Sequence, residues 1–294
     1  MRELGQLVTD LDIVHAPIHT LKGLPVKTPP TDTPFNPRLR FDDGEAYEQM
    51  MGRWSALVAG PFLDWLAMPQ GLEWLDDGCG NGAFTEVLVA RQRPVSVVGV
   101  DPAPAQLAFA RQRPGTADVR FVEGDAESLP LTDAGVDVAV MALVLFFLPR
   151  PARGLQEMVR VVRPGGMVAA YHWDMAGGGF PLQPVLDAVR ADGHKSQEPP
   201  STWASALDAS EGMWREAGLV EVQTRQFEVQ RYFDSFEDFW RTTQGSPRLR
   251  DLYASLAPHA LLRLRERVRE TLGVGEDGPL VLHARSNAVR GCKP

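Results

Sequence analysis

The chain has 294 residues, 44% hydrophobic and 23% charged, a balance that supplies a sizeable apolar core and excludes disorder of the whole chain. A formal net charge of −8 repels phosphate backbones and anionic headgroups on average, which argues against nucleic acid or a membrane surface as partner. Two cysteines, Cys79 and Cys292, form neither a disulfide framework nor a metal-ligand spacing and suit a reducing cytoplasm.

Residues 1–40 carry six prolines and little apolar periodicity, which predicts an extended or disordered arm ahead of a domain spanning 41–294. The acidic Glu3, Asp10 and Asp12 stand where a secretion signal would be basic, so export is not expected. No run of about 18 apolar residues is present to span a bilayer. From Glu45 onward Tyr47, Met51, Trp54, Leu57 and Val58 recur at helical spacing, and Phe62, Leu63 and Leu66 continue the pattern.

From Leu72 short apolar runs alternate with helical segments, the pattern of βα units on a parallel sheet. Strands are predicted near 72–77, 95–100, 118–122, 136–142 and 166–173, with helices near 83–91, 104–112 and 152–162 between them. After Asp174 the ladder is broken by Gly177, Gly178 and Gly179 and by a mixed segment containing Pro199 and Pro200. Two more strands are predicted at 219–229 and 280–290. Between them, residues 251–272 place Leu261, Leu264, Val268 and Leu272 on one helical face and Arg263, Arg265, Arg267 and Arg269 largely on the other, a solvated face rather than a nucleic-acid groove.

The strongest local signal is Trp74-Leu75-Asp76-Asp77-Gly78-Cys79-Gly80-Asn81-Gly82, leaving a strand and entering a helix. Its glycines allow a tight turn and close approach to a ligand. A dinucleotide pyrophosphate at that helix start would be opposed by Asp76 and Asp77, and the G-x-G-x-G spacing departs from the dinucleotide pattern. A ligand with net positive charge and no phosphate suits the two carboxylates better, and S-adenosylmethionine is such a ligand. Asp101 ends the second strand, nineteen residues after Gly82, where a solvated carboxylate can accept both hydroxyls of a ribose. Asp125 follows the third strand and can meet an adenine amino group. Ligands of open α/β sheets bind along this line of strand ends.

Leu75 to Gly82, Asp101, Gly124-Asp125-Ala126, the run Ala142 to Pro149 and Val162-Arg163-Pro164-Gly165-Gly166 together resemble the successive motifs of class I S-adenosylmethionine-dependent methyltransferases. The branch they resemble is the type 11, ubiquinone/menaquinone C-methyltransferase-like group. The likeness covers about residues 45–175, and Phe236 to Trp240 with Ala284 to Val289 resembles a bacterial subgroup of the same family. It implies a doubly wound α/β fold with a seven-stranded, mostly parallel sheet, a cofactor core over 70–175, and insertions at about 175–218 and 235–275 forming a substrate cap. It also implies that Asp76, Gly78, Cys79 and Gly80 face the methionine and ribose portion of the cofactor, Asp101 and Pro102 the ribose, and Asp125 and Ala126 the adenine. Ala142 and Leu143 would approach the amino-acid end through their backbone. Tyr47 and Arg53 would close over the cofactor, with Arg53 suited to its carboxylate.

Where relatives often carry histidines this chain has Phe146 and Phe147, which cannot move protons and are expected to pack in the core or border the acceptor pocket. Methyl transfer needs positioning more than a base. His172, at the end of the fifth strand, is the candidate should the acceptor require deprotonation. Trp54, Trp203, Phe236, Phe239 and Trp240 could line an apolar pocket or fill the core of the insertions. The reading is a cytoplasmic methyltransferase acting on a small-molecule acceptor. An RNA or protein methyltransferase, a non-catalytic cofactor-binding module and a nicotinamide oxidoreductase remain as alternatives.

Overall fold

The computed structural model describes residues 44–275 and 277–294; the predicted N-terminal arm over 1–40 lies outside them. α1 (Gly44–Tyr47) passes through a π-helical turn (Glu48–Gly52) into α2 (Arg53–Leu66). Trp54, Val58, Phe62 and Leu66 of α2 are buried along one face, as their spacing of four requires.

The βα ladder follows: β1 (Glu73–Asp77), α3 (Ala83–Gln92), β2 (Ser96–Asp101), α4 (Pro104–Ala110), β3 (Arg120–Glu123), β4 (Val136–Ala142), α5 (Pro151–Val161) and β5 (Val162–Trp173). The remaining chain forms α6 (Gln183–Ala191), α7 (Leu207–Glu216), β6 (Val220–Phe233), α8 (Phe236–Thr243), α9 (Arg250–Ser255), α10 (Pro258–Leu272) and β7 (Leu280–Cys292). All seven strands join one sheet in the order β3-β2-β1-β4-β5-β7-β6. The first five are parallel, and β7 runs antiparallel between β5 and β6. The predicted seven-stranded, mostly parallel α/β sheet is therefore the one observed.

β7 runs on from its predicted end to Cys292, and β5 and β6 depart further from their predicted bounds. β5 begins at Val162 because Arg163-Pro164-Gly165-Gly166, which punctuates the sequence like a turn, is absorbed by a register shift against β4 between Val136 and Val138. β6 continues to Phe233 because its inward positions Phe227, Val229, Arg231 and Phe233 are all buried. Arg231 breaks the apolar alternation, and its guanidinium lies over the rings of Trp54 and Phe233 and donates to the Met50 carbonyl.

Helices cover both faces. On one, α2, α3, α6, α8 and α10 share a core with Trp74, Val140, Tyr171 and Trp173 of the sheet; on the other, α5 and α7 pack on Leu75, Met141, Val168 and Ala170. Trp54, Phe236, Phe239 and Trp240 belong to the first core, whereas Trp203 is exposed. The arginines of α10 pair with carboxylates, Arg265 with Glu237, Arg267 with Asp192 and Arg269 with Glu266, which is the solvated face predicted. Among the described residues no helix is long and apolar enough to cross a membrane.

Asp77 is fully buried, and neither of its oxygens has a hydrogen-bond partner. Burial holds its carboxyl well above the ordinary range, and the charges of Asp76 and Asp101 add to this. By strand alternation it shares the face of Leu75. A group that is neutral when folded and ionised when unfolded loses stability as pH rises above the ordinary carboxylate pKa. Asp77→Val should therefore raise the melting temperature, corresponding to roughly 1–3 kcal/mol for removal of an unsatisfied buried polar group, and by more at pH 8 than at pH 5. Thermal unfolding at the two pH values measures this; a lower melting temperature would show that the carboxyl supports the fold.

Candidate active site

The glycine loop between β1 and α3 is pinned from β2. The Val100 carbonyl accepts from both Gly78 N (2.7 Å) and Cys79 N (2.9 Å). The Asp101 carboxylate then takes Gly80 N on Oδ2 (2.9 Å) and Ala103 N on Oδ1 (2.8 Å). Gly78 must lack a Cβ because one would collide with Val144. Gly80 has φ +52, and the space its Cβ would fill is open, a cradle in which backbone can approach a ligand.

Asp76 is fully buried beside this cradle. Thr85 of α3 donates to its Oδ2 at 2.5 Å, while Oδ1 has no partner. Burial raises its pKa to about 7 against the lowering effect of the Thr85 bond. Asp101 rises to about 6, again through burial, opposed by the Ala103 and Gly80 amides. The expectation that Asp101 is a solvated loop carboxylate is thereby corrected: only 9% of it is exposed, because it closes the loop.

Cys79 points its thiol into a satellite cluster with Leu107, Ala110 and Phe121, and burial pushes the thiol well up. Pro102 is exposed next to Asp101. Beyond β3, Asp125 is exposed and its Oδ1 accepts from Glu127 N at 2.8 Å, while Ala126 is buried. Ala142 ends β4, and Leu143 follows with φ +65 while donating its N–H to Tyr171 O at 2.8 Å. A buried leucine in the left-handed region is a strained conformation of the kind that clusters at ligand sites.

The helical entry closes this edge. Glu48, in the π-helical turn, accepts from Asn81 Nδ2 (2.8 Å) and pairs with Arg113, which also reaches Glu86 (2.8 Å) and the Asn81 carbonyl (2.6 Å). Single π turns are frequent at functional sites. Burial pushes the Tyr47 hydroxyl above its usual range, and the charge of Asp101 adds to this, which places Tyr47 near the glycine loop. Arg53 is exposed at the start of α2. Its charge contributes, after burial, to lowering Arg231 to about 10.

An apolar pocket opens beside this edge. Tyr47, Met50 and Met51 form one wall, Leu143, Phe146 and Phe147 the second, and Trp173, Met175 and Phe180 the third, with Pro199 and Ser246 to Arg248 completing it. The segments 175–218 and 235–275 thus contribute Met175, Phe180, Pro199 and the 246–248 turn. His172 does not join the pocket: it points to the opposite face from Trp173, where it is fully buried with Nε2 2.9 Å from Ser210 Oγ of α7. Burial pushes it down to about 4, so it is a neutral packed residue, and the general-base expectation receives no geometric support.

Sequence reasoning missed Glu48, Thr85, Arg113 and Arg248. Thr85 lies one turn into the helix after the loop, the position from which a hydroxyl can reach back to β1. No periodic signal marks the other three.

Residues 75–170 match a family model described as a methyltransferase domain. The chain is 40% identical over 99 residues to the malonyl-(acyl-carrier protein) O-methyltransferase of Pectobacterium atrosepticum, spanning 34% of this chain and 38% of that protein. A longer match, 28% over 188 residues, joins it to the phthiotriol/phenolphthiotriol dimycocerosates methyltransferase of Mycobacterium tuberculosis, over 58% of this chain and 68% of the relative. The fold is that of the YcgJ protein from Bacillus subtilis, at 18% identity and a TM-score of 0.54 over 80% of this chain and 97% of the other. The matched segment contains the glycine loop, Asp101, Asp125 and Leu143, and ends within β5.

Asn in place of Asp101 keeps the size but can serve only one of the two loop amides, with its NH2 set against the other. Asp101→Asn should lower stability by about 1–3 kcal/mol, read as a reduced melting temperature. An unchanged melting temperature would show that the loop is held by the Val100 carbonyl alone.

Proposed function

We propose that this chain transfers the methyl group of S-adenosylmethionine to a small-molecule acceptor bound in the apolar pocket. The observation that carries the reading is the combination of an open glycine cradle with a buried carboxylate, Asp76, whose Oδ1 has no partner inside the protein. An uncompensated buried carboxyl fits a cationic ligand and opposes a pyrophosphate, which favours S-adenosylmethionine over a nicotinamide dinucleotide. The relatives' names point the same way, one to O-methylation of an acyl-carrier-protein substrate and one to methylation of phthiotriol dimycocerosates.

In this reading Asp76 and the backbone at Gly78 and Gly80 hold the methionine end. Asp101 keeps free lone pairs on both oxygens for the ribose hydroxyls, and Asp125 with Ala126 borders the adenine. Leu143 presents its backbone to the amino-acid end, and Tyr47 closes over the top with Arg53 near the entrance. When bound, the cofactor supplies a methyl group on a positively charged sulfur that departs as a neutral thioether. The chain's contribution is to align the acceptor's lone pair with that bond and to keep water out by the apolar wall. No side chain of the pocket wall is placed here as a proton acceptor, so an acceptor that is already anionic or carries a free lone pair suits it.

Asp76 must be ionised to attract the cation. Its pKa near 7 implies that S-adenosylmethionine affinity rises as pH increases through about 7 and weakens as Asp76 takes up a proton below it. Calorimetry between pH 5.5 and 8.5 should show that rise, with Asp76→Asn binding weakly at every pH and without the rise near 7. A parent profile flat across that range would remove Asp76 from the ligand's surroundings.

Transfer itself is tested by incubating the full chain with methyl-labelled cofactor and a metabolite extract and identifying labelled products by mass spectrometry. Label should enter a compound of low molecular mass. Label confined to protein or RNA would assign the acceptor to a macromolecule, and saturable binding of NAD with none of S-adenosylmethionine would overturn the cofactor.

A further inference from the structure

Among the described residues that line the pocket, mostly apolar, Arg248 alone carries a charge. Arg248 lies in the turn between α8 and α9, is 8% exposed, and lines the same cavity as Phe146, Phe180 and Trp173. Its guanidinium is only partly satisfied: Nε donates to the Gln197 carbonyl at 2.8 Å, the Phe180 ring lies 5.4 Å from Cζ, and Nη1 is buried without any acceptor. Among the described residues no carboxylate pairs with it, although the exposed Glu198 is near enough for its charge to be felt. A guanidinium inside an apolar wall costs several kcal/mol unless an anion meets it, and its planar fork is shaped for a carboxylate.

Within the methyltransferase reading, on which this step rests, we propose that Arg248 fixes the substrate class. The acceptor is an organic anion with an apolar body, and its carboxylate or equivalent oxyanion pairs with Arg248 Nη1. The methionines and aromatic rings around it would hold the body of such a molecule, and Arg248 would fix its orientation relative to Leu143 and the glycine cradle. Arg248 is a specificity and positioning residue here, not a member of the cofactor site. A neutral ligand of the same shape would leave the guanidinium unpaired and be rejected on that ground.

The test uses the full chain loaded with S-adenosylhomocysteine and titrated with decanoate, 3-phenylpropanoate and the primary amide of each. At least one acid should bind roughly tenfold or more tightly than its own amide, the usual worth of a hydrogen bond to a charged group. Arg248→Met should bring that pair to within about twofold while leaving S-adenosylhomocysteine affinity unchanged, and Arg248→Lys should keep part of the preference. Equal binding of acid and amide, no binding of either acid, or a preference that survives in Arg248→Met would each overturn the proposal. Should Arg248→Met fail to fold, the acid and amide comparison on the parent chain still decides. Failure of the loading step would strike the methyltransferase reading instead, and the same comparison on the unloaded chain would then judge the Arg248 pairing alone.

Discussion

The geometry of the strand-end site depends on one carboxylate accepting two backbone amides. Asp101 takes Gly80 N and Ala103 N on separate oxygens, so the glycine loop after β1 and the start of α4 after β2 are tied to the same point. Gly78 and Cys79, held on the Val100 carbonyl, complete the loop's anchorage. Three carboxyl groups, Asp76, Asp77 and Asp101, are thereby gathered at two adjacent strand ends inside the protein. Burial raises all three, and the charges of neighbouring carboxylates add to this for Asp76 and Asp77.

The remaining walls are assembled around that corner from distant parts of the chain. Glu48 and Arg113 clamp the helical entry onto the glycine loop, which brings Tyr47, Met50 and Met51 over the site. Leu143 bends β4 away into the turn carrying Phe146 and Phe147. Two aromatic rings from β5 brace the arrangement: Tyr171 exchanges a hydrogen bond with Ser55 of α2 at 2.8 Å, and Trp173 meets Trp54 edge-on. The entry helix and the end of the parallel ladder therefore act as one wall.

Much of this was legible in the residues. Short apolar runs alternating with helical segments marked the strands of the ladder, and Asp76, Gly80, Asp101, Ala126 and Leu143 lie at or just beyond the C-terminal ends of its parallel strands. What stayed hidden is what depends on tertiary partners. The predicted strand stops at 229, short of Arg231, because nothing in the sequence shows that its guanidinium lies over the rings of Trp54 and Phe233. Val162 to Gly166 reads as a turn until β4 accepts the register shift. His172 reads as available until strand alternation sends it beneath α7. Asp101 reads as solvated because nothing in sequence shows that two amides converge on it.

Only three of the thirteen residues around the pocket, Leu143, Phe146 and Phe147, fall within the segment 75–170 that matches the family. The other ten come from the helical entry, the end of β5 and the two insertions. Under the proposed function, kinship and selectivity would be written on different stretches of one polypeptide. An enzyme of this plan could change its acceptor through the flanking stretches while the strand-end corner stays fixed.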